Sequence, residues 1–290
     1  MIETRVRNAV CSFANIHERN GSEDWPPATI RIDCGMIALK HSQEEPVAAE
    51  YLPLDERVIS DLSKVSTATL TTVLLKHGLR NVWLRGTRPL VPGLPRLVGR
   101  AFTLRFVPAR EDLATPASWG SPISTRAAIE AMPAGCIAVV GALGCTDAGI
   151  FGDILCARMQ KRGVAALVSD GVVRDVSGVL QTGLPVWCQG TAAPPSVAGL
   201  TFVGWQEPID CGGVAVFPND VIVVDQDGAV LIPVALLDMV VAAAVEQELQ
   251  EAWIMLQVES GAVLPGLYPP NDANKARYEA WKAARSRSSG

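Results

Sequence analysis

Apolar and polar positions repeat with two different periods along most of this chain, and the changes of period mark its elements. Within residues 54–77 the segment VSTATLTTVLLKHG spaces its apolar residues for one face of a helix, closed by Gly78. GRAFTLRF, residues 99–106, alternates as a strand does. Residues 107–120 hold two prolines and Trp119-Gly120 and read as a loop; a helix over 125–131 then leads into an apolar strand over 136–140. CTDAGIFGD is loop-like, ILCARMQKR is helical up to Gly163, VAALVS is a buried strand, DGVVRD is a turn opening a short helix, and LPVWCQG is again a strand. Strand and helix units in this alternation predict an α/β domain.

After Gly199 the strands come closer together, as TFVGW, GVAVF, VIVVD and AVLIP, with an Asp-Gly hairpin signal at Asp227-Gly228. A long helix is expected over 234–258, stopped by Gly261. Past Pro265 the chain is polar, with a helix over 274–285 and a loose RSRSSG end. The first 50 or so residues differ from the rest. They are mixed and polar, with one strand candidate near 29–39, and read as an extension. The division is 1–53 (extension), 54–269 (main α/β domain) and 270–290 (polar tail).

Composition narrows the function classes. Apolar residues make up 49% of the chain and charged residues 19%, enough for a sizeable core. Thirty acidic against 25 basic side chains, net −5, argue against nucleic-acid binding. The most membrane-like stretch, 229–245, is interrupted by Pro233 and Asp238 and is short for a span. No secretory pattern opens the sequence, so a cytoplasmic, non-membrane protein is expected. Cys11, Cys34, Cys136, Cys145, Cys156, Cys188 and Cys211 are scattered singly without C-x-x-C spacing. They read as buried reduced thiols. Only His17, His41 and His77 are at hand as further ligands, so zinc is not expected.

Residues 152–175, GDILCARMQKRGVAALVSDGVVRD, carry the candidate chemistry. A helix beginning at Gly152-Asp153 has free first-turn amides near Ile154 and Leu155, which attract an anion. One helix and one strand later the chain returns to the same sheet edge with Arg174-Asp175. Arg174 suits a bidentate carboxylate grip, Asp175 a hard cation such as Mg²⁺, and Asp153 proton transfer or the holding of a water. Spacing alone leaves open a plain helix cap at Asp153 and a solvated surface pair at Arg174-Asp175. The six lysines (Lys40, Lys64, Lys76, Lys161, Lys275 and Lys282) all fall outside the apolar strands from Cys136 onward. A buried Schiff-base lysine is therefore not in view, which favours a metal route.

The acid Asp153, twenty intervening residues and then Arg174-Asp175, set beside GVAALVSDGVVRD, LPVW, CGGVAVFPNDVIVVDQDGAVLIP and GRAFTLRF, resemble the regulator-of-ribonuclease-activity A family. That family includes class II 4-hydroxy-4-methyl-2-oxoglutarate / 4-carboxy-4-hydroxy-2-oxoadipate aldolases. The resemblance spans residues 54–269. It implies an α/β sandwich related to swivelling phosphohistidine domains, assembled as a homotrimer or homohexamer with sites between subunits. It implies a lyase releasing pyruvate from a small 2-oxo acid, with oxaloacetate decarboxylation as a side activity. Arg174 and the Gly152–Ile154–Leu155 amides would bind the pyruvyl carboxylate, Asp175 would hold Mg²⁺ or Mn²⁺, and Asp153 would order a water of that ion. A glutamate from a neighbouring subunit maps to Glu251, with Glu248 second. Relatives that bind a ribonuclease without chemistry, and a sugar-acid lyase or hydrolase on the same scaffold, are the alternatives. Two departures stand out: Thr71-Thr72 where the family commonly has an acid, and Pro218-Asn219-Asp220 where it has Pro-Gly-Asp.

Overall fold

A computed structural model describes residues 51–288. The strand expected near 29–39, and Cys11, Cys34, His17, His41 and Lys40, lie outside the described residues. The chain runs through α1 (Glu56–Leu62), α2 (Thr67–Lys76), β1 (Trp83–Leu84), β2 (Arg88–Pro89), β3 (Leu97–Pro108), α3 (Thr125–Ala131), β4 (Ile137–Gly141) and α4 (Asp153–Lys161). It continues through β5 (Ala166–Ser169), α5 (Val176–Thr182), β6 (Val186–Cys188), β7 (Leu200–Trp205), β8 (Ile209–Cys211), β9 (Val214–Val216), β10 (Val221–Asp225), β11 (Gly228–Ile232), α6 (Leu237–Glu259) and α7 (Asp272–Ser288). This is the expected α/β class.

One mixed sheet organises the core, in the order β1-β11-β10-β3-β4-β5-β6-β2, with β7 also paired to β3. The run β3-β4-β5-β6 is parallel, and the flanking pairs are antiparallel. The path begins and ends in two-residue strands separated by only three residues of sequence, so the sheet curls round on itself. Period-2 alternation then gives each strand an inner and an outer face. Ile137 and Val139 of β4 join Val168, Trp187, Ile222 and Val224 in the enclosed core, over which β8 and β9 fold. Their neighbours Ala138 and Val140 face the other way, against α3, α4 and α5. Val221 and Val223 of β10 pack on α1, α2 and α6. Trp187 Nε1 crosses the interior to donate to the Asp225 carbonyl at 2.7 Å.

The helix expected over 54–77 is two helices. Ser66 interrupts it as an N-cap, its hydroxyl accepting from the Thr69 amide at 3.0 Å. Thr67 is then pinned to β10, its amide and hydroxyl both donating to the Asp225 carboxylate. Periodicity sees one apolar face and misses a break that is made by a strand 158 residues away. Past residue 269, the segment read as a loose end is instead helical up to Ser288. β1, β2 and β8 are further additions, too short to leave a period.

The Pro218-Asn219-Asp220 turn works without the family's glycine. Asn219 takes the left-handed conformation (φ 70°), which asparagine tolerates better than most side chains. Asp220 closes the turn by accepting from the amides of Phe217 and Val234. Cys136, Cys156, Cys188 and Cys211 are buried, Cys145 is half-buried, and all five are free thiols, as expected for that part of the chain. Burial pushes the Cys136 and Cys156 thiols up to about 12.

Candidate active site

Three loops leave the carboxyl ends of the parallel strands β4, β5 and β6 and run side by side. Gly149 bridges Val172 and Pro195, and Val173 bridges Thr191. The Arg174 amide donates to the Phe151 carbonyl at 2.9 Å, which fixes the Arg174-Asp175 corner against the start of α4. Glycine makes this approach possible. A Cβ on Gly149 would lie 2.7 Å from the Arg174 Cβ, and one on Gly152 would lie 2.9 Å from Asp175 Oδ2. On α5, a Cβ on Gly178 would lie 2.6 Å from the Asp153 Cβ.

The result is a cleft of about 280 Å³ whose walls include Gly152, Asp153, Ile154, Leu155, Arg174 and Asp175. The structure therefore gathers at one place the acid, the helix start and the Arg-Asp pair that the sequence spacing singled out. Gly152 is the N-cap of α4 and supplies no side-chain cap, so the first turn keeps unsatisfied amides. One of the two amides expected to meet an anion is engaged: Asp153 Oδ1 accepts from the Ile154 amide at 2.7 Å. An incoming carboxylate would have to displace Asp153 there, whereas Leu155 presents its amide one position further on. Arg174 Nε donates to Asp175 Oδ2 at 3.1 Å, with the arginine about one third exposed and the aspartate about half exposed. Asp175 itself sits in the left-handed region (φ 53°, ψ 45°) as the N-cap residue of α5, without a side-chain cap bond. A non-glycine residue there is uncommon, and aspartate is one of the few side chains that tolerate it.

Glu251 is not among the residues around this cleft. It lies on α6 against α2, its carboxylate accepting from Thr69 Oγ1 and from Gln247 Nε2. Glu248, the second choice, accepts from the Ser66 amide on the same seam. Both are half-buried.

The spacing argument missed the cleft's opposite wall. Trp119, Thr125 and Arg126 close it from the turn before α3 and from that helix's first turn. The Arg126 guanidinium lies over the Trp119 ring, 4.9 Å from its centroid. The signals available were the loop 107–120 with its Trp119 and the helix N-cap Ser124 that follows it. Two further tryptophans lie away from the cleft: Trp205 stacks on Phe202 and Trp253 is buried against Tyr278.

Among the described residues no group of three or more His, Cys, Asp or Glu side chains gathers as a metal cage. What the cleft offers is two accessible carboxylates, Asp153 and Asp175, on either side of the Gly152 corner. That oxygen-only set fits a cation such as Mg²⁺, which takes one or two protein carboxylates and keeps several waters.

The family described as RraA-like, Aldolase/RraA, matches residues 61–231, more than half of the chain. The chain belongs to this RraA-like family. Relatives include protein DlpA of Legionella pneumophila, 25% identical over 77% of this chain and 34% of its own. A Halalkalibacterium halodurans protein named as a candidate 4-hydroxy-4-methyl-2-oxoglutarate aldolase is 36% identical over 37% of this chain and 50% of its own. The matched part thus spans about a third to a half of these curated relatives. The solved structure of Streptomyces coelicolor RraAS2, described as an unusual member of the RNase ES inhibitor RraA protein family, is 34% identical. It superposes with a TM-score of 0.63, covering 70% of this chain and 98% of that one. The RraA-like fold accounts for the large mixed sheet, and among the described residues no helix is long and apolar enough to cross a membrane.

Proposed function

We propose that this protein is a divalent-metal-dependent lyase that cleaves a 4-hydroxy-2-oxo acid to pyruvate and a second carbonyl compound. The observation that carries the reading is the convergence of Asp153, Arg174 and Asp175 on one cleft at a helix start. Its likeness to a relative named for such an aldolase supports the same chemistry. Arg174 grips the substrate carboxylate from one side, and the Leu155 amide meets it from the other. Asp175 would hold Mg²⁺ or Mn²⁺, and that ion would supply stabilisation of negative charge at the 2-keto oxygen. Asp153 takes the 4-hydroxyl proton as the C3–C4 bond breaks. The bonding pair is left on C3, and a proton returned through water completes pyruvate. Oxaloacetate decarboxylation is expected as a side activity, because it leaves the same electron pair on C3.

The test is a metal-supplemented assay of pyruvate release from 4-hydroxy-2-oxo acids and oxaloacetate. Turnover is expected to vanish in EDTA and to return with Mg²⁺ or Mn²⁺; turnover that survives chelation defeats the metal route. The reading also expects a second copy's Glu251 to complete the cleft in a homotrimer or homohexamer. Sedimentation, with Glu251→Gln turnover, checks this: a fully active monomer removes it. The likeness to RraAS2 favours a second reading, a regulator that binds a ribonuclease. Ribonuclease inhibition by a protein inert toward every 2-oxo acid would select it.

A further inference from the structure

Beside the cleft lies a second, larger chamber of about 390 Å³. Trp119, Thr125 and Ser196 line both spaces, so the two adjoin across a shared partition. Phe106, Leu113, Ile123, Val197, Phe202 and Val203 are among its apolar wall residues. The two differ in charge. The cleft holds Arg126, Asp153, Arg174 and Asp175, while no lining residue of the chamber is charged. The chamber's polar groups are neutral hydroxyls, four of which have a backbone partner. Ser118 donates to the Thr115 carbonyl; Ser121, Ser124 and Thr201 accept from the amides of Ile123, Ala127 and Arg110. A carboxylate placed there would lose part of its hydration and meet no cation, which is disfavoured. A hydrocarbon group would be released from water at no such penalty.

We propose that this chamber receives the C4 substituent of the substrate, and that the substituent is apolar: an aryl or branched alkyl group, in place of a second carboxylate. The inference rests on the reading of the cleft as the 2-oxo acid site and names the substrate class of that site. The 2-oxo acid head stays between Arg174 and the start of α4. The tail passes the edge of Trp119, whose ring Arg126 braces from the cleft side. Trp119 and Ser196 are thereby specificity-determining residues.

Calorimetric binding of two uncleavable ligands tests this, on the Mg²⁺-loaded full chain: 2-oxo-4-phenylbutanoate and 2-oxoglutarate, with pyruvate as the head alone. The phenyl ligand is expected to bind at least tenfold more tightly than 2-oxoglutarate. That ratio should fall below threefold in Val197→Phe and, separately, in Ala114→Phe, each of which fills the chamber. Because both ligands are measured on the same variant, a reduced folded fraction cancels from the ratio. If pyruvate binds but 2-oxoglutarate matches or exceeds the phenyl ligand, or the ratio survives both fillings, the chamber assignment is overturned and the lyase reading stands. If neither pyruvate nor any other 2-oxo acid binds, the lyase reading itself fails, and this inference falls with it.

Discussion

Asp170 and Asp175 stand in one loop, five residues apart, and their surroundings are opposite. Asp170 is 3% exposed, and its carboxylate accepts from the amides of Ala142 at 2.7 Å and of Gly144 and Gly212 at 3.1 Å. It ties the start of the β4 loop to the tip of the β8–β9 hairpin. Asp175 is half exposed, set in the left-handed region, and partnered only by the arginine before it among the bonds described. The first aspartate has spent its acceptors on the fold. The second keeps its capacity for a ligand. The comparison separates a carboxylate that builds a loop from one that the loop presents.

Four experiments would break or sharpen that contrast. Asp170→Ala should have the largest effect on stability. Leaving the buried Ala142 amide unpaired costs on the order of 1–3 kcal/mol, and the part-buried amides of Gly144 and Gly212 add less, so a loss of about 2 kcal/mol or more is expected in denaturant unfolding. A loss under about 1 kcal/mol would mean that water replaces the carboxylate, and the contrast would go. Asp175→Asn keeps a side chain that tolerates the left-handed backbone, so its unfolding midpoint should hardly move. Pyruvate release should nevertheless fall by about 100-fold or more, roughly 2.7 kcal/mol in the barrier. Turnover within threefold of the parent would take Asp175 out of the chemistry. Gly152→Ala comes next, because its Cβ would press on Asp175 Oδ2 and displace the carboxylate without removing it. A decrease of about tenfold in kcat is expected, smaller than for Asp175→Asn.

The smallest effect is in pH dependence. Burial raises the Asp170 carboxyl above its ordinary value, with the three amides pulling the other way. A group raised in this way binds its proton more tightly when folded. Its proton-linked stability is therefore present below the unfolded carboxyl pKa and lost as pH rises through the folded one. The stability of the parent relative to Asp170→Asn should thus be greatest at the acid end and shrink across that window. A difference that grows with pH over the same range would contradict the burial argument.

The sequence made the parallel α/β core legible because its strands are buried on both faces and its helices have glycine stops, as at Gly163. Asp153, Arg174 and Asp175 were readable because they sit on consecutive loops of that parallel run, where position along the chain translates into position along the sheet edge. The division between α1 and α2 was not readable, since Asp225 enforces it from another strand. Nor was the placing of Arg126 over Trp119 at the cleft, since that wall comes from a different part of the fold and leaves no local period. Glu251 was placed by resemblance alone, and within one chain its bonds run to α2. The Ile154 amide was counted as open because helix geometry makes it so; the neighbouring Asp153 rotamer closes it.

The curled sheet has a consequence for solubility. Both ends of its strand path are two-residue strands from the single segment 83–89, and Thr87 between them accepts from the Ala229 amide and donates to the Leu84 carbonyl. Long bare edges invite another chain to add a strand, and very short terminal strands are one way proteins blunt that hazard. Here one clasp blunts both ends together. Loosening Thr87 would open two sticky borders at once, so a destabilised clasp should reveal itself first as self-association in concentrated solution.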